Sequence, residues 1–238
     1  MNLNTYTREE SFQTKSLTQS FMASVFSWMF LAMAITALVS FVAAGSPAFL
    51  EIMYNMETGR MSIAGWIIML SPLGLVFWMS AGFAKMNSGT LTLIFIGYSA
   101  LMGLSLSFIF LAYSGATIAK TFVITSAMFG LMAVLGYTTK TDLTRFGSLM
   151  MMGLVGVIIA TLVNFFMKSS TMEFIISFVG VLVFTGLTAY DVQKIKRIGM
   201  ENSDPAVIKK ATIMGALTLY LDFINLFLFL LRFFGNRK

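Results

Sequence analysis

Two carboxylates stand where an ionised group is least welcome. Asp222 lies well inside a long apolar run, in Leu219-Tyr220-Leu221-Asp222-Phe223-Ile224-Asn225, and Asp191 lies toward the end of the preceding run, in Gly186-Leu187-Thr188-Ala189-Tyr190-Asp191-Val192-Gln193-Lys194. A carboxylate at the centre of a membrane helix costs about 2.5–3.5 kcal/mol on insertion scales, so such a side chain faces protein or water rather than lipid. Two that meet in a low dielectric cannot readily both ionise; they share a proton, and the site responds to pH. The same oxygens, joined by hydroxyls, amides or backbone carbonyls, also suit a hard cation such as calcium. The residue types leave proton and calcium chemistry both open.

Spacing adds detail. Gly215, Thr218, Asp222 and Asn225 recur at intervals of three or four and draw one small, polar stripe down an apolar helix. Asp191 has Thr188 three positions before it and Lys194 three after it. Thr188, Lys194, Thr218 and Asn225 are therefore the candidate supporting residues. The plainer readings are a helix-end ion pair of Asp191 with Lys194 and a structural hydrogen bond from Asp222 to a neighbouring helix.

The elements that must hold these groups are set by composition. The chain has 238 residues, 58% apolar and 11% charged, against roughly 45–50% and 25% in a soluble domain. A chain this size cannot hide that excess in one aqueous core. Apolar runs near 21–44, 61–84, 90–112, 119–137, 147–167, 174–195 and 211–233 are each long enough to cross about 30 Å of hydrocarbon as a helix. None alternates apolar and polar residues as a barrel strand does. The expectation is an all-α integral membrane protein: a polar tail over 1–20 without signal-peptide features, a seven-helix transmembrane domain over 21–233 and a short tail over 234–238. Pro72 removes a backbone donor within the second span. Gly153, Gly156, Gly180 and Gly186 offer small surfaces for close packing. The last two spans, joined by a loop of about fifteen residues (196–210), are expected to be antiparallel neighbours.

Absences narrow the chemistry. With no His and no Cys, histidine-dependent triads, thiol nucleophiles, His-ligated zinc and disulfides are excluded. No phosphate-cradling glycine motif is present. The net charge of +6 is scattered between apolar runs, which serves membrane topology rather than nucleic-acid binding. Arg8, Lys15, Lys85, Lys140, Arg145, Lys194, Lys196, Arg197, Lys209 and Lys210 fall on one side of the membrane, and Arg60, Lys120, Lys168, Arg232, Arg237 and Lys238 on the other. The richer side is expected to be cytoplasmic, and it carries the amino terminus.

Three segments carry a family resemblance. Gly136-Tyr137-Thr138-Thr139-Lys140-Thr141-Asp142-Leu143, then Gly186 through Asp191 with Gln193-Lys194-Ile195-Lys196, then Gly215-Ala216-Leu217 and Leu219 through Phe227 closed by Gly235-Asn236-Arg237, resemble the bacterial branch of the Bax inhibitor family. Met102-Gly103-Leu104-Ser105-Leu106-Ser107 fits the same pattern. The resemblance implies seven helices with the last one central, no cofactor, and a multi-pass protein of the bacterial cytoplasmic membrane. It also implies a pH-sensitive calcium leak controlled by an aspartate pair at Asp191 and Asp222, with calcium as the permeant or weakly bound ion. Lys85, on the second span, is the one candidate for a basic latch onto the helix-six aspartate. Two alternatives are weaker. A proton-coupled transporter of a small solute would also use membrane carboxylates. An intramembrane aspartyl protease would match Tyr190-Asp191, but Leu219-Tyr220-Leu221-Asp222 lacks the Gly-x-Gly-Asp element such enzymes need.

Overall fold

A computed structural model describes residues 3–55, 58, 60–202 and 204–235, with residues 3–15 described by backbone alone. Glu57, Ser203, Asn236, Arg237 and Lys238 lie outside the described residues. The described chain is helical: α1 (Leu3–Ala44), α2 (Pro47–Met53), α3 (Ile63–Gly82), α4 (Ser88–Leu106), α5 (Phe108–Ala112), α6 (Gly115–Thr138), α7 (Thr144–Met167), α8 (Ser170–Glu201) and α9 (Pro205–Phe234). Seven stretches are long and apolar enough to cross a membrane, with α4 and α5 together forming the third. Large apolar side chains stand exposed along them, Phe77, Leu131 and Phe166 among them, as expected of surfaces solvated by lipid.

The chain divides into two compact units. One comprises Ser27–Gly115; the other comprises the described residues of Met1–Phe26 and Ala116–Asn236. Within the first, Pro72 sits inside α3 and leaves the carbonyl of Ile68 without its usual helical donor. Two hydroxyls take over: Ser71 Oγ, 2.8 Å away, and Ser105 Oγ of α4, also at 2.8 Å. The Met102–Ser107 motif thus supplies a tie between helices. Replacing Ser105 with alanine is expected to lower stability by about 0.6 kcal/mol, and by no more than about 1.7, because Ser71 remains on the same carbonyl. Unfolding in mixed micelles measures this. The same helix ends its regular path at Ser107, whose N–H and hydroxyl both bond Leu104 O, at 3.3 and 2.8 Å, three residues back rather than four.

The second unit holds both aspartates. Here α8 pairs most extensively with α9 and next with α7. Gly180 lies against the Phe229 ring and Gly215 against Ile195, so α8 and α9 run antiparallel. Gly153 packs on Val183 and Gly186 on Met150, as expected of close-packing glycines, whereas Gly156 faces open space. The last span is the most buried: 72% of its most apolar stretch is covered, against 6% for that of α7.

The expected fifteen-residue loop between these helices is not there. α8 continues to Glu201 and α9 begins at Pro205, so only three residues, 202–204, separate them. Asp204 Oδ1 accepts from Ala206 N–H at 2.8 Å, and Pro205 fills the first turn, where no N–H is needed. Lys194, Lys196, Arg197, Lys209 and Lys210 lower the hydropathy there without ending either helix.

Candidate functional site

The helix pair brings Asp191 and Asp222 together. With Gly180 opposite Phe229 and Gly215 opposite Ile195, Asp222 stands near the level of Thr188 and Asp191 near that of Thr218. That offset is about one helical turn, or about 5.4 Å, which two carboxyl side chains reaching toward each other can close. They do so: the groups lie within hydrogen-bonding reach of one another. Asp222 is buried and Asp191 half-buried.

The satisfaction of these oxygens is uneven. Asp222 Oδ2 is fully enclosed and, among the described residues, accepts no hydrogen bond from a protein donor. A buried oxygen left in that state costs about 1–3 kcal/mol, and more if it is charged. A proton held between the two carboxyl groups removes the deficit and the charge repulsion together. Lys194 is the cation near Asp191; its exposed side chain lies 5.9 Å from the centre of the Tyr190 ring.

The supporting residues are placed as follows. Thr188 is buried and donates to Phe184 O at 2.8 Å, Thr218 donates to Met214 O at 3.0 Å, and Asn225 donates through Nδ2 to Leu221 O at 2.8 Å. Each donor is turned back onto its own helix, so the polar stripe on α9 lines the pair's helix without bonding its oxygens. Lys85 lies exposed in the turn after α3, in the other compact unit. Among the described residues no third acidic side chain joins the pair. Calcium takes six to eight oxygens, so two carboxyl groups alone would not make a cage for it.

Sequence reasoning missed the groups that hold α8 beside the pair. Gln193 Oε1 accepts from Leu143 N–H and its Nε2 donates to Thr141 O, both at 2.8 Å. Lys196 Nζ donates to Tyr137 O at 2.8 Å and lies 4.7 Å from the centre of that ring. Arg197 pairs with Asp142 at 3.1 Å. The hydroxyl and N–H of Thr144, with Arg197 behind them, hold the exposed Asp142 carboxyl below the usual carboxylate range. The motif segments 136–143 and 193–196 contained all of these residues except Thr144 and Arg197, but nothing in their spacing tied one segment to the other.

A sequence profile described as inhibitor of apoptosis-promoting Bax1 matches residues 18–238. The chain belongs to the Bax inhibitor family. It is similar to the inner membrane protein YbhL of Escherichia coli K12, with 47% identity over 228 residues and 95% of each chain covered. It is also 44% identical over 218 residues to the uncharacterized protein RP147 of Rickettsia prowazekii, covering 92% of this chain and 90% of the other. An uncharacterized membrane protein of Streptococcus pyogenes serotype M6 is 43% identical over 162 residues, 68% of this chain and 70% of that one. This Bax inhibitor family member is thus a multi-pass membrane protein, and its seven spans agree with the inner-membrane character of YbhL.

Proposed function

We propose that this Bax inhibitor family protein is a pH-sensitive calcium leak channel gated by protonation of the Asp191–Asp222 pair. The observation that carries the reading is the Asp222 carboxyl, with an enclosed Oδ2 that has no donor among the described residues, facing the Asp191 carboxyl. With one proton between them the groups attract. Without it, two unit charges about 4 Å apart at an effective dielectric of about 20 repel by about 4 kcal/mol. That is enough to shift a two-state equilibrium roughly a thousandfold. Separation of α8 from α9 at this level would expose two carboxylate oxygens to a passing cation, weak enough as ligands to release it.

The test is calcium efflux from liposomes holding the purified protein, across a pH series. Efflux is expected to change with pH, and Asp191→Asn or Asp222→Asn is expected to flatten that change. Efflux whose pH profile is the same in both variants as in the wild type removes the pair from the gate.

The orientation belongs to the same proposal. Ten basic residues against six put the amino terminus and the α6–α7 and α8–α9 turns in the cytoplasm. The chain has no native cysteine, so Lys140→Cys and Lys168→Cys, both at exposed positions in turns, report the two sides cleanly. An impermeant thiol reagent is expected to label intact cells at position 168 and not at 140; the reverse pattern inverts the topology.

A further inference from the structure

Asp191 stands on the part of α8 that the α6–α7 turn embraces. Gly136, at the end of α6, lies against the backbone of Ala189, and Gly147, in the first turn of α7, lies against the Tyr190 ring. Beyond Asp191, Gln193 bonds the turn twice, at Leu143 N–H and Thr141 O. Lys196 and Arg197 add Tyr137 O and the Asp142 carboxylate. Five positions of α8 between 189 and 197 are thus engaged by one hairpin.

The angular arrangement matters more than the number of bonds. At about 100° per residue, position 193 lies about 200° around α8 from position 191, so Gln193 and Asp191 project to opposite sides. One side meets Asp222 of α9; the other is tied to the α6–α7 turn. A rotation of α8 by about 20° moves a carboxyl at about 6 Å from the helix axis by about 2 Å, enough to take it out of hydrogen-bonding reach. The same rotation breaks both Gln193 bonds, since a bidentate amide tolerates little displacement.

We propose that Gln193 is a positioning residue for the carboxyl pair, fixing the rotation of α8 so that Asp191 faces Asp222. The role rests on reading that pair as the proton-sharing gate. Among the described residues the charged groups acting on the pair are Lys194 on α8 and each carboxyl for the other. Tyr137 and Asp142, from α6 and its turn, engage Lys196 and Arg197 instead. Loss of the Gln193 amide therefore alters the pair through geometry, not through a change of charge.

The test uses the full chain in liposomes, with two readouts: calcium efflux across pH, and the infrared carboxyl band that disappears in Asp191→Asn and Asp222→Asn. Gln193→Ala is expected to move the midpoint of the band by about half a pH unit or more, a threefold change in proton affinity, and to move the efflux midpoint with it. A second variant guards against a misfolded single one: Gln193→Ala combined with Asp142→Cys and Arg197→Cys, joined by a short bismaleimide that adds to both thiols, is expected to titrate as wild type and to shift when left unjoined. A band that titrates at the wild-type midpoint in Gln193→Ala, or that joining leaves unmoved, overturns the positioning role and leaves the gate standing. A band that shifts as expected without any calcium efflux keeps the positioning role and discards the leak. If no carboxyl band titrates, both fall.

Discussion

Exchanging Asp191 and Asp222 together for asparagine is expected to leave efflux little different from that of the worse single exchange, with a pH profile as flat as either. The reason is that, on the proposed function, the two carboxyl groups form one site. Each single exchange already removes the shared proton, so the second has little left to remove. Groups in contact commonly show coupling energies of about 0.5–3 kcal/mol, whereas independent sites add. Stability should behave differently. An asparagine amide donates to the facing oxygen and fills nearly the same volume, so the enclosed oxygen at position 222 gains a partner. Thermal unfolding of the variants is therefore expected to change little while the pH response disappears. Efflux and unfolding measured on the wild type, both singles and the double separate the cases; strictly additive effects on efflux mean that the two carboxyl groups act apart.

The second large effect is steric. A methyl group on Gly136 would meet the backbone carbonyl of Ala189, which cannot turn aside as a side-chain end can. Overpacking of this kind costs about 1–3 kcal/mol. The offsetting gain from alanine's helix preference is at most about 1 kcal/mol, and less in a bilayer, where a spanning segment stays helical even when its packing is lost. Gly136→Ala is thus expected to lose about 2 kcal/mol. Gly156→Ala, with open space around it, should stay within about 0.5 kcal/mol of the wild type. Unfolding of both in the same micelles provides the comparison, and equal stabilities would mean that α6 and α8 are not in hard contact.

The seven spans and the two aspartates were legible in the sequence because a bilayer enforces a simple code: apolar runs of sufficient length, and a conspicuous penalty on any acid within them. The same code misjudged the ends of α8 and α9. Hydropathy falls at Lys194, Lys196, Arg197, Lys209 and Lys210, yet a helix does not end where the hydrocarbon does. Its basic side chains reach the headgroup layer while their backbone remains hydrogen-bonded. The polar stripe on α9 was visible in the spacing, but the direction of its donors is not a property of spacing: Thr218 and Asn225 satisfy carbonyls one turn back in their own helix. The grip of Gln193 on the α6–α7 turn left no trace in composition. Its partners are a backbone N–H and a backbone C=O about fifty residues away, and every residue offers those.

The brevity of the turn between α8 and α9 bears on how the charged helix enters the membrane at all. A solitary segment carrying Asp222 faces an insertion penalty of about 2.5–3.5 kcal/mol. α8 is synthesised first, and only residues 202–204 separate it from α9, so the second helix arrives tethered beside Asp191. Entry as a hairpin whose other half carries Asp191 would spare the acid from crossing the headgroups alone, and closing so short a connection would fix few residues. Each doubling of that tether would add only about 0.6 kcal/mol of closure entropy. The larger loss would be in timing: a longer tether would let the acidic helix meet the translocation machinery alone, before Asp191 is near.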